Sequence, residues 1–286
     1  MYPELIKIGP ITIHSFGLMA MLGFLITTLV LRKEFARKKI DPDMANSIAV
    51  AAVLGGFIGA RLYFIIEHWQ EFLRDPFSMI FSGAGLVWYG GLIGGVIAVV
   101  WTLKRLRIPI MSGGDSIAPL ILLGYGIGRL GCQLAGDGDY GPPTDLPWAM
   151  HYTNGVVPTL NNPKLQALYA KMYPGQPIPA DIAVHPTPLY DFLLSMLLFF
   201  MLWKLRGKLM RTGQLFGLSM IALGFERFVT EFFRMTPKIP GLGITHAQTI
   251  SILMAIAGGY IWYLAKQRDF PEALATPRKS PGKKRR

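Results

Sequence analysis

Three arginines, Arg61, Arg129 and Arg227, lie inside apolar stretches long enough to cross a bilayer. A charged side chain at the centre of a spanning helix costs roughly 2.5–3.5 kcal/mol on insertion scales, so a chain that keeps three of them gains something anionic to bind. Two have an acid nearby: Glu67 follows Arg61, and Glu231 stands one helical turn after Arg227. The second pair can neutralise itself, and Arg61 is either a structural partner of a carboxylate or a ligand contact. Arg129 has no acid within one turn of its own helix, so its counter-ion comes from elsewhere. Arg234 sits at a predicted membrane boundary, where alone it would be an arginine reaching for headgroups. Taken with Arg129 it suggests a phosphate clamp, because guanidinium forks match phosphate geometry. The outer-leaflet anion of that kind is a phospholipid headgroup.

The elements that position these residues follow from hydropathy. The 286 residues are 51% hydrophobic and 16% charged, well below the roughly 25% charged residues of a soluble domain. Spans of about 20 apolar residues fit a ~30 Å hydrocarbon core. Seven are expected, over residues 13–31, 46–67, 86–103, 116–134, 187–203, 214–233 and 247–265. The fold class is therefore an all-α integral membrane protein with seven transmembrane helices and, over 135–186, a small external cap, with a solvated connecting loop equally allowed. The catalytic domain is expected over 1–268 and a basic cytoplasmic tail over 269–286. The first apolar run lacks the flanks of a signal peptide and is read as a retained span. A single Cys excludes an internal disulfide and leaves the redox compartment open.

The net charge of +12 falls in loops between apolar spans, which argues against nucleic-acid binding. Basic residues alternate along the chain. Arg32, Lys33, Arg37, Lys38 and Lys39 follow the first span, Lys104, Arg105 and Arg107 the third, and Lys204, Arg206, Lys208 and Arg211 the fifth. Eight more lie from Lys266 onward, whereas Lys7, Arg74, Lys164, Lys171, Arg234 and Lys238 are all that the opposite side holds. Positive-inside bias puts the N-terminus outside and the C-terminus in the cytoplasm.

That orientation gathers the unusual polar groups toward the outer leaflet: the arginines, Glu231, Tyr89, His14, His185, Tyr190 and His246. Arg227, Glu231 and Arg234 are spaced i, i+4 and i+7, which would line one helix face. Gly55-Gly56-x-x-Gly59 and Gly90-Gly91-x-x-Gly94-Gly95 place small residues four apart, as closely approaching membrane helices require. The His residues show no metal-ligand spacing and are read as hydrogen bonders at helix starts.

The segment Gly128-Arg129-Leu130-Gly131-Cys132-Gln133-Leu134-Ala135-Gly136-Asp137 resembles the signature of the prolipoprotein diacylglyceryl transferase family, usually Gly-Arg-x-Gly-Asn-x-x-Asn-x-Glu. Trp88-Tyr89-Gly90-Gly91-Leu92-Ile93-Gly94 is similar to its His-Gly-Gly-Leu-Ile-Gly stretch. His185-Pro186-Thr187-Pro188-Leu189-Tyr190 is similar to its His-Pro-Ser-Gln-Leu-Tyr motif, and Glu231-Phe232-Phe233-Arg234 matches its Glu-Phe-Phe-Arg. The resemblance covers about residues 5–268. The chain departs from the pattern at Tyr89, where the family often has His, and at Cys132 and Ala135, where it has Asn. Phe16 replaces a Tyr, and the signature Glu becomes Asp137 or, one residue longer, Asp139.

The resemblance implies transfer of a diacylglyceryl group from phosphatidylglycerol to the lipobox cysteine of a preprolipoprotein at the bacterial cytoplasmic membrane. Glycerol phosphate leaves, and neither metal nor cofactor takes part. It implies catalytic roles for Arg129, Arg234, Tyr89 and Glu231, and substrate contacts from Arg129, Gly131, Asp137, His185 and Tyr190; Arg61 joins the substrate contacts from its place inside an apolar span. The partners are phosphatidylglycerol, the preprolipoprotein signal peptide and the bilayer. Tyr89 or an Asp of the signature stands where a base would act, and Cys132 is not expected to form a covalent intermediate. Rival readings of buried arginines are a phospholipid or anion transporter, with its site near the midplane, and a non-catalytic lipid-binding scaffold. An intramembrane serine protease needs Ser and His on facing spans, and no His lies mid-span.

Overall fold

The computed structural model describes residues 1–81, 85, 87–208 and 211–272. The basic tail 278–286 lies outside the described residues. The chain opens with a hairpin of β1 (Glu4–Ile8) and β2 (Ile11–His14), paired antiparallel. Among the described residues ten helices follow: α1 (Ser15–Arg37), α2 (Met44–Glu67), α3 (Trp69–Arg74), α4 (Pro76–Phe81), α5 (Trp88–Arg105), α6 (Ile110–Ala135), α7 (Pro163–Met172), α8 (Thr187–Leu205), α9 (Gln214–Thr230) and α10 (His246–Gln267). A 3-10 turn, Glu231–Phe233, continues directly from α9.

The fold is thus mostly helical, and a helix stands at each of the seven expected spans. Five of them, α1, α2, α6, α8 and α10, are long and apolar enough to cross a membrane. The other two, α5 with 18 residues and α9 with 17, are the shortest of the seven. Apolar side chains on α2, among them Leu54, Phe57, Leu62 and Ile66, are exposed, which suits a helix whose surrounding solvent is lipid.

Several boundaries differ from those that hydropathy predicts. The first span was expected from residue 13, but residues 4–14 form the hairpin. Its strand Glu-Leu-Ile-Lys-Ile alternates polar and apolar in part, and Gly9 makes the turn at φ +57°. α1 runs on to Arg37 because Arg32, Lys33 and Glu34 are good helix formers that a hydropathy limit excludes. The sixth span ends earlier than expected. The α-helix stops at Thr230, Glu231 begins the 3-10 turn, and Arg234 is extended at φ −109°, ψ 157°. Arg234 is therefore not on a helix face with Arg227 and Glu231.

Contacts divide the chain into two units. One comprises Met1–Thr27 and Ile117–Asp269; the other is chiefly Thr28–Ser116. In the second unit α2 packs along α5. The expected glycines do this: a Cβ added at Gly59 would overlap the Gly90 carbonyl, and one at Gly94 the Gly55 carbonyl. In the first unit α9 packs against α10 and α8. The segment 136–186 has a core of its own, Tyr140, Tyr152, Leu165, Ile182 and Val184. Asn162 caps α7 by accepting from Lys164 N and Leu165 N. Asp181 knits the segment together, accepting from Thr153 Oγ1 at 2.6 Å and Thr159 Oγ1 at 2.5 Å.

Candidate active site

Arg129 lies near the C-terminal end of α6. Its guanidinium stacks over the Tyr125 ring, 4.9 Å from the centroid, one turn earlier. The helix ends in a glycine turn, where Gly136 and Gly138 adopt φ +60° and +94° and Gly136 N donates to Cys132 O. These left-handed residues turn the chain back, so that Asp139 Oδ2 accepts directly from Arg129 Nη1. The loop is pinned to the start of α8: Thr187 Oγ1 donates to Asp139 O, and Gly141 N donates to His185 O at 2.8 Å.

Arg234 reaches the same aspartate. Its Nη1 lies 3.4 Å from Asp139 Oδ2. Its Nη2 donates to Asp191 Oδ2, and Arg129 Nε lies 3.3 Å from that same oxygen. Two arginines and two aspartates thus form a closed quartet. Gly141 makes the approach possible, because a Cβ there would overlap Phe233 O and stand 2.9 Å from the His185 Cβ.

The quartet has a buried and an open side. Asp191 is fully buried, and the side chains of Arg234 and Arg129 are 9% and 18% exposed. The Asp139 side chain is 40% exposed. Burial works to raise the pKa of Asp139, but Arg234 and Arg129 outweigh it and hold this carboxyl below its ordinary value. A second anion reaching the arginines would come from the Asp139 side.

The other expected residues have the following contacts. Arg227 pairs with Glu231 at 2.7 Å, so Glu231 orients Arg227 rather than Arg129 or Arg234. Tyr190 OH accepts from Trp148 Nε1 at 2.8 Å and lies 3.2 Å from His185 Nδ1. Phe233 packs against both rings. Burial lowers the pKa of His185, which favours the neutral ring. Gly131 faces α1, where an added Cβ would meet Met19 Cβ at 3.1 Å and Phe16 Cα at 3.2 Å. Asp137 Oδ1 accepts from Asp139 N at 3.3 Å. Asp137 lines a cavity of about 470 Å³ with His14, Phe16, Gly17 and Val156.

Cys132 Sγ is 3.6 Å from Arg129 Nη1. The ligand-type atoms of Cys132, Asp137 and Asp139 lie within 4.8 Å of one another. A cation there would face the guanidinium groups that already hold Asp139. Arg61 and Tyr89 belong to the second unit. Arg61 donates to Gly85 O at 3.2 Å and to Met79 O. Tyr89 stands in the first turn of α5 and is 46% exposed.

Two acids in this region were not anticipated. Asp191 is the residue after Tyr190, and Glu226 precedes Arg227; they are 0% and 2% exposed. The signal that could have found them is the one that found the arginines, an ionisable residue inside an apolar segment.

A profile of the prolipoprotein diacylglyceryl transferase family matches residues 3–264. A Clostridium tetani (strain Massachusetts / E88) protein named phosphatidylglycerol–prolipoprotein diacylglyceryl transferase is 30% identical over 269 residues, covering 94% of this chain and 99% of the relative. A Pectobacterium carotovorum subsp. carotovorum (strain PC1) protein of the same name is 30% identical over 280 residues, covering 93% and 94%. One from Trichormus variabilis (strain ATCC 29413 / PCC 7937) is 27% identical over 285 residues, covering 96% and 94%. Motifs in their expected order and matches along nearly the whole length agree: the chain belongs to the prolipoprotein diacylglyceryl transferase family.

Proposed function

We propose that Arg129 and Arg234 clamp the phosphate of phosphatidylglycerol while its diacylglyceryl group passes to the lipobox cysteine of a prolipoprotein. The transfer itself is the family's activity and that of this enzyme. The observation that carries the clamp is the convergence of two guanidinium groups, from α6 and from the strand-like residue after α9, on shared carboxylate oxygens. Asp139 holds the open side of that pair, and a phosphate oxygen has the charge and the hydrogen-bonding pattern to replace it.

The substrate thiol attacks the glycerol carbon. A carbon–sulfur bond forms as the carbon–oxygen bond to phosphate breaks, and the thiol proton is released. Negative charge grows on the departing phosphate monoester. Donors already fixed toward that charge, in a site poor in water, stabilise it without reorganising. Asp191 keeps both guanidinium groups in place from the buried side. Thiolate formation from an ordinary pKa of about 8.5 is helped by the same positive groups. Tyr89 is the positional candidate for a base, and its substitution by Phe separates a base from a scaffold.

The reading extends to topology. Seven helices cross the membrane, the N-terminus lies outside and the C-terminus in the cytoplasm. Segment 135–186 forms an external cap that meets the signal peptide, and the site opens toward the outer leaflet. The positive-inside asymmetry supports this arrangement.

The test is transfer of diacylglycerol to a lipobox peptide in membranes. Arg129→Lys and Arg234→Lys should insert normally and each lose on the order of a hundredfold in kcat, as loss of a charge-stabilising fork predicts. Near-normal transfer by both would remove the clamp. A transporter would move lipid or anion without thiol transfer, and a scaffold would lose stability before activity, so the same assay separates these rivals.

A further inference from the structure

A short chain of polar side chains joins the segment 136–186 to α8, and donor chemistry fixes its direction. Trp148 Nε1 donates to Tyr190 OH at 2.8 Å, across 42 positions of sequence. Tyr190 OH in turn lies 3.2 Å from His185 Nδ1. An indole nitrogen only donates, and a phenol holds a single proton. With one lone pair of the Tyr190 oxygen taken by Trp148, its proton is left to give, and His185 Nδ1 is the atom within reach. Nδ1 then carries the lone pair and Nε2 the proton. The chain runs one way, from Trp148 through Tyr190 to a neutral His185. Burial, which lowers the pKa of His185, agrees with that state.

The far end of this chain rests on the residue before Arg234. The ring centroids of His185 and Phe233 are 5.7 Å apart, and those of Tyr190 and Phe233 5.4 Å apart with the planes at 76°. Phe233 O and His185 Cβ also crowd the Cβ position of Gly141, whose N–H donates to His185 O. Tyr190 immediately precedes Asp191, whose Oδ2 takes both guanidinium groups. Phe233 and Tyr190 are thus each one peptide bond from a member of the quartet. Trp148, 55% exposed, is the member of the chain that stands furthest into solvent.

We propose that Trp148 is a positioning residue for the arginine pair: its indole N–H sets the direction of a Trp148–Tyr190–His185 chain that seats Phe233, and with it Arg234, against Asp191. This rests on the reading of Arg129 and Arg234 as a phosphate clamp. The chain couples the segment that meets the signal peptide to the groups that hold the lipid. It is also sensitive to acid. When His185 gains a proton, Nδ1 becomes a donor, the Tyr190 proton must turn away from it, and the last bond of the chain is lost. Because burial holds this imidazole below its ordinary value, the chain is complete at neutral pH and opens as pH falls through the lowered value. The groups that face the ring are Tyr190 from α8, Phe233 from the 3-10 turn, and Gly141 with Pro142 from the loop after α6. Of these only Tyr190 can ionise, and it is already part of the chain. Asp139 and Arg234, the charged groups next along the loop and the turn, engage each other.

The test joins histidine-ring nitrogen NMR to transfer kinetics, on the full-length enzyme in phosphatidylglycerol-containing vesicles. The His185 signal, identified by its loss in His185→Asn, should show a proton on Nε2 and none on Nδ1 at neutral pH. Trp148→Phe keeps an aromatic ring and removes the N–H, and should lose about threefold to tenfold in kcat with KM little changed. Tyr190→Phe should lose at least as much, and the double variant no more than Tyr190→Phe alone, because both break one chain. In Tyr190→Phe the neutral imidazole loses its donor, so the His185 midpoint and the acid limb of kcat should move to higher pH together, and by less in Trp148→Phe. A role in packing alone would leave that limb in place. A proton on Nδ1 at neutral pH overturns the proposal, as do losses that add in the double variant, or wild-type kcat in Trp148→Phe. If Tyr190→Phe does not insert, Trp148→Phe, at an exposed position, and the wild-type tautomer still decide. Normal transfer by Arg129→Lys and Arg234→Lys would remove the clamp and leave the tautomer as it is, so the two failures are distinguishable.

Discussion

Asp139 is the residue on which the resting site turns. It contacts both arginines yet has the most exposed side chain of the quartet. A carboxylate in that position competes with a phosphate for the same donors. Asp139→Asn should therefore lower KM for phosphatidylglycerol several-fold, measured with lipid as the varied substrate. A raised KM with reduced stability would mean instead that Asp139 only positions the arginines. The pH dependence has a definite sign. Because the arginines hold this carboxyl below its ordinary value, the ion pairs contribute fully above that value and are lost as pH falls through the lowered one. Acid should thus loosen the quartet only well below neutrality, a dependence that Asp139→Asn abolishes in thermal-unfolding scans. Arg129, Arg234 and Glu231 were legible in the sequence, the first as a cation in an apolar run and the others in a four-residue motif. Asp191 was not, although it follows that reading's own Tyr190. A lone acid among Leu and Phe carries the same energetic cost as a lone arginine, but the counter-ions of Arg129 lie 10 and 62 positions away, a distance that no helical spacing encodes.

The elements deliver these side chains through their ends more than their faces. α6 presents Arg129 just before a glycine turn, and α9 gives way to a 3-10 turn that swings Arg234 into an extended conformation. Helix positions were largely legible because long apolar runs dictate them, whereas helix ends were not. Hydropathy stops at Leu31 though α1 continues to Arg37, and it runs on through Phe233 though α9 stops at Thr230. Backbone hydrogen bonding and tertiary contact decide such ends, and neither is a property of composition. Gly141 shows the consequence. Its Cβ position is filled by Phe233 O and the His185 side chain, so Gly141→Val should push the 3-10 turn outward and carry Arg234 off Asp191. Transfer should fall at least tenfold while protease resistance of the membrane helices is kept. The 136–186 segment reads from sequence equally as a loop or a cap. Its stability depends on Asp181, which burial drives toward a higher pKa but which Thr153, Thr159 and the nearby His151 hold lower. Asp181→Asn should cost the segment about 1.5–3 kcal/mol, read as faster hydrogen exchange confined to 136–186.

At the scale of the whole molecule, the distribution of charge carries the least ambiguous statement, because it is a sum over many residues rather than a property of one. Twenty of the 29 Lys and Arg lie in the last turns of alternate helices, in the connections after them and in the stretch after residue 265, against six elsewhere along the connections. Three of those connections follow α1, α5 and α8. Anionic lipid and the insertion machinery act on each connection, so the asymmetry is cumulative and no single substitution should reverse it. In the orientation proposed above α6 and α9 would run outward, and the ends that bear Arg129 and Arg234 would lie at the outer leaflet. The prediction is therefore a pattern. Alkaline phosphatase inserted between residues 153 and 158 should be active, and the same enzyme joined after Lys208 should be inactive, while a fluorescent protein joined after residue 272 should fluoresce. Reversing Arg32, Lys33, Arg37, Lys38 and Lys39 to acids should leave the later fusions unchanged, because the connections after α5 and α8 keep their own bias. Activity of the phosphatase after Lys208 in the unaltered chain would place the arginine pair on the cytoplasmic side, away from the thiol, and would overturn the site's assignment along with the topology.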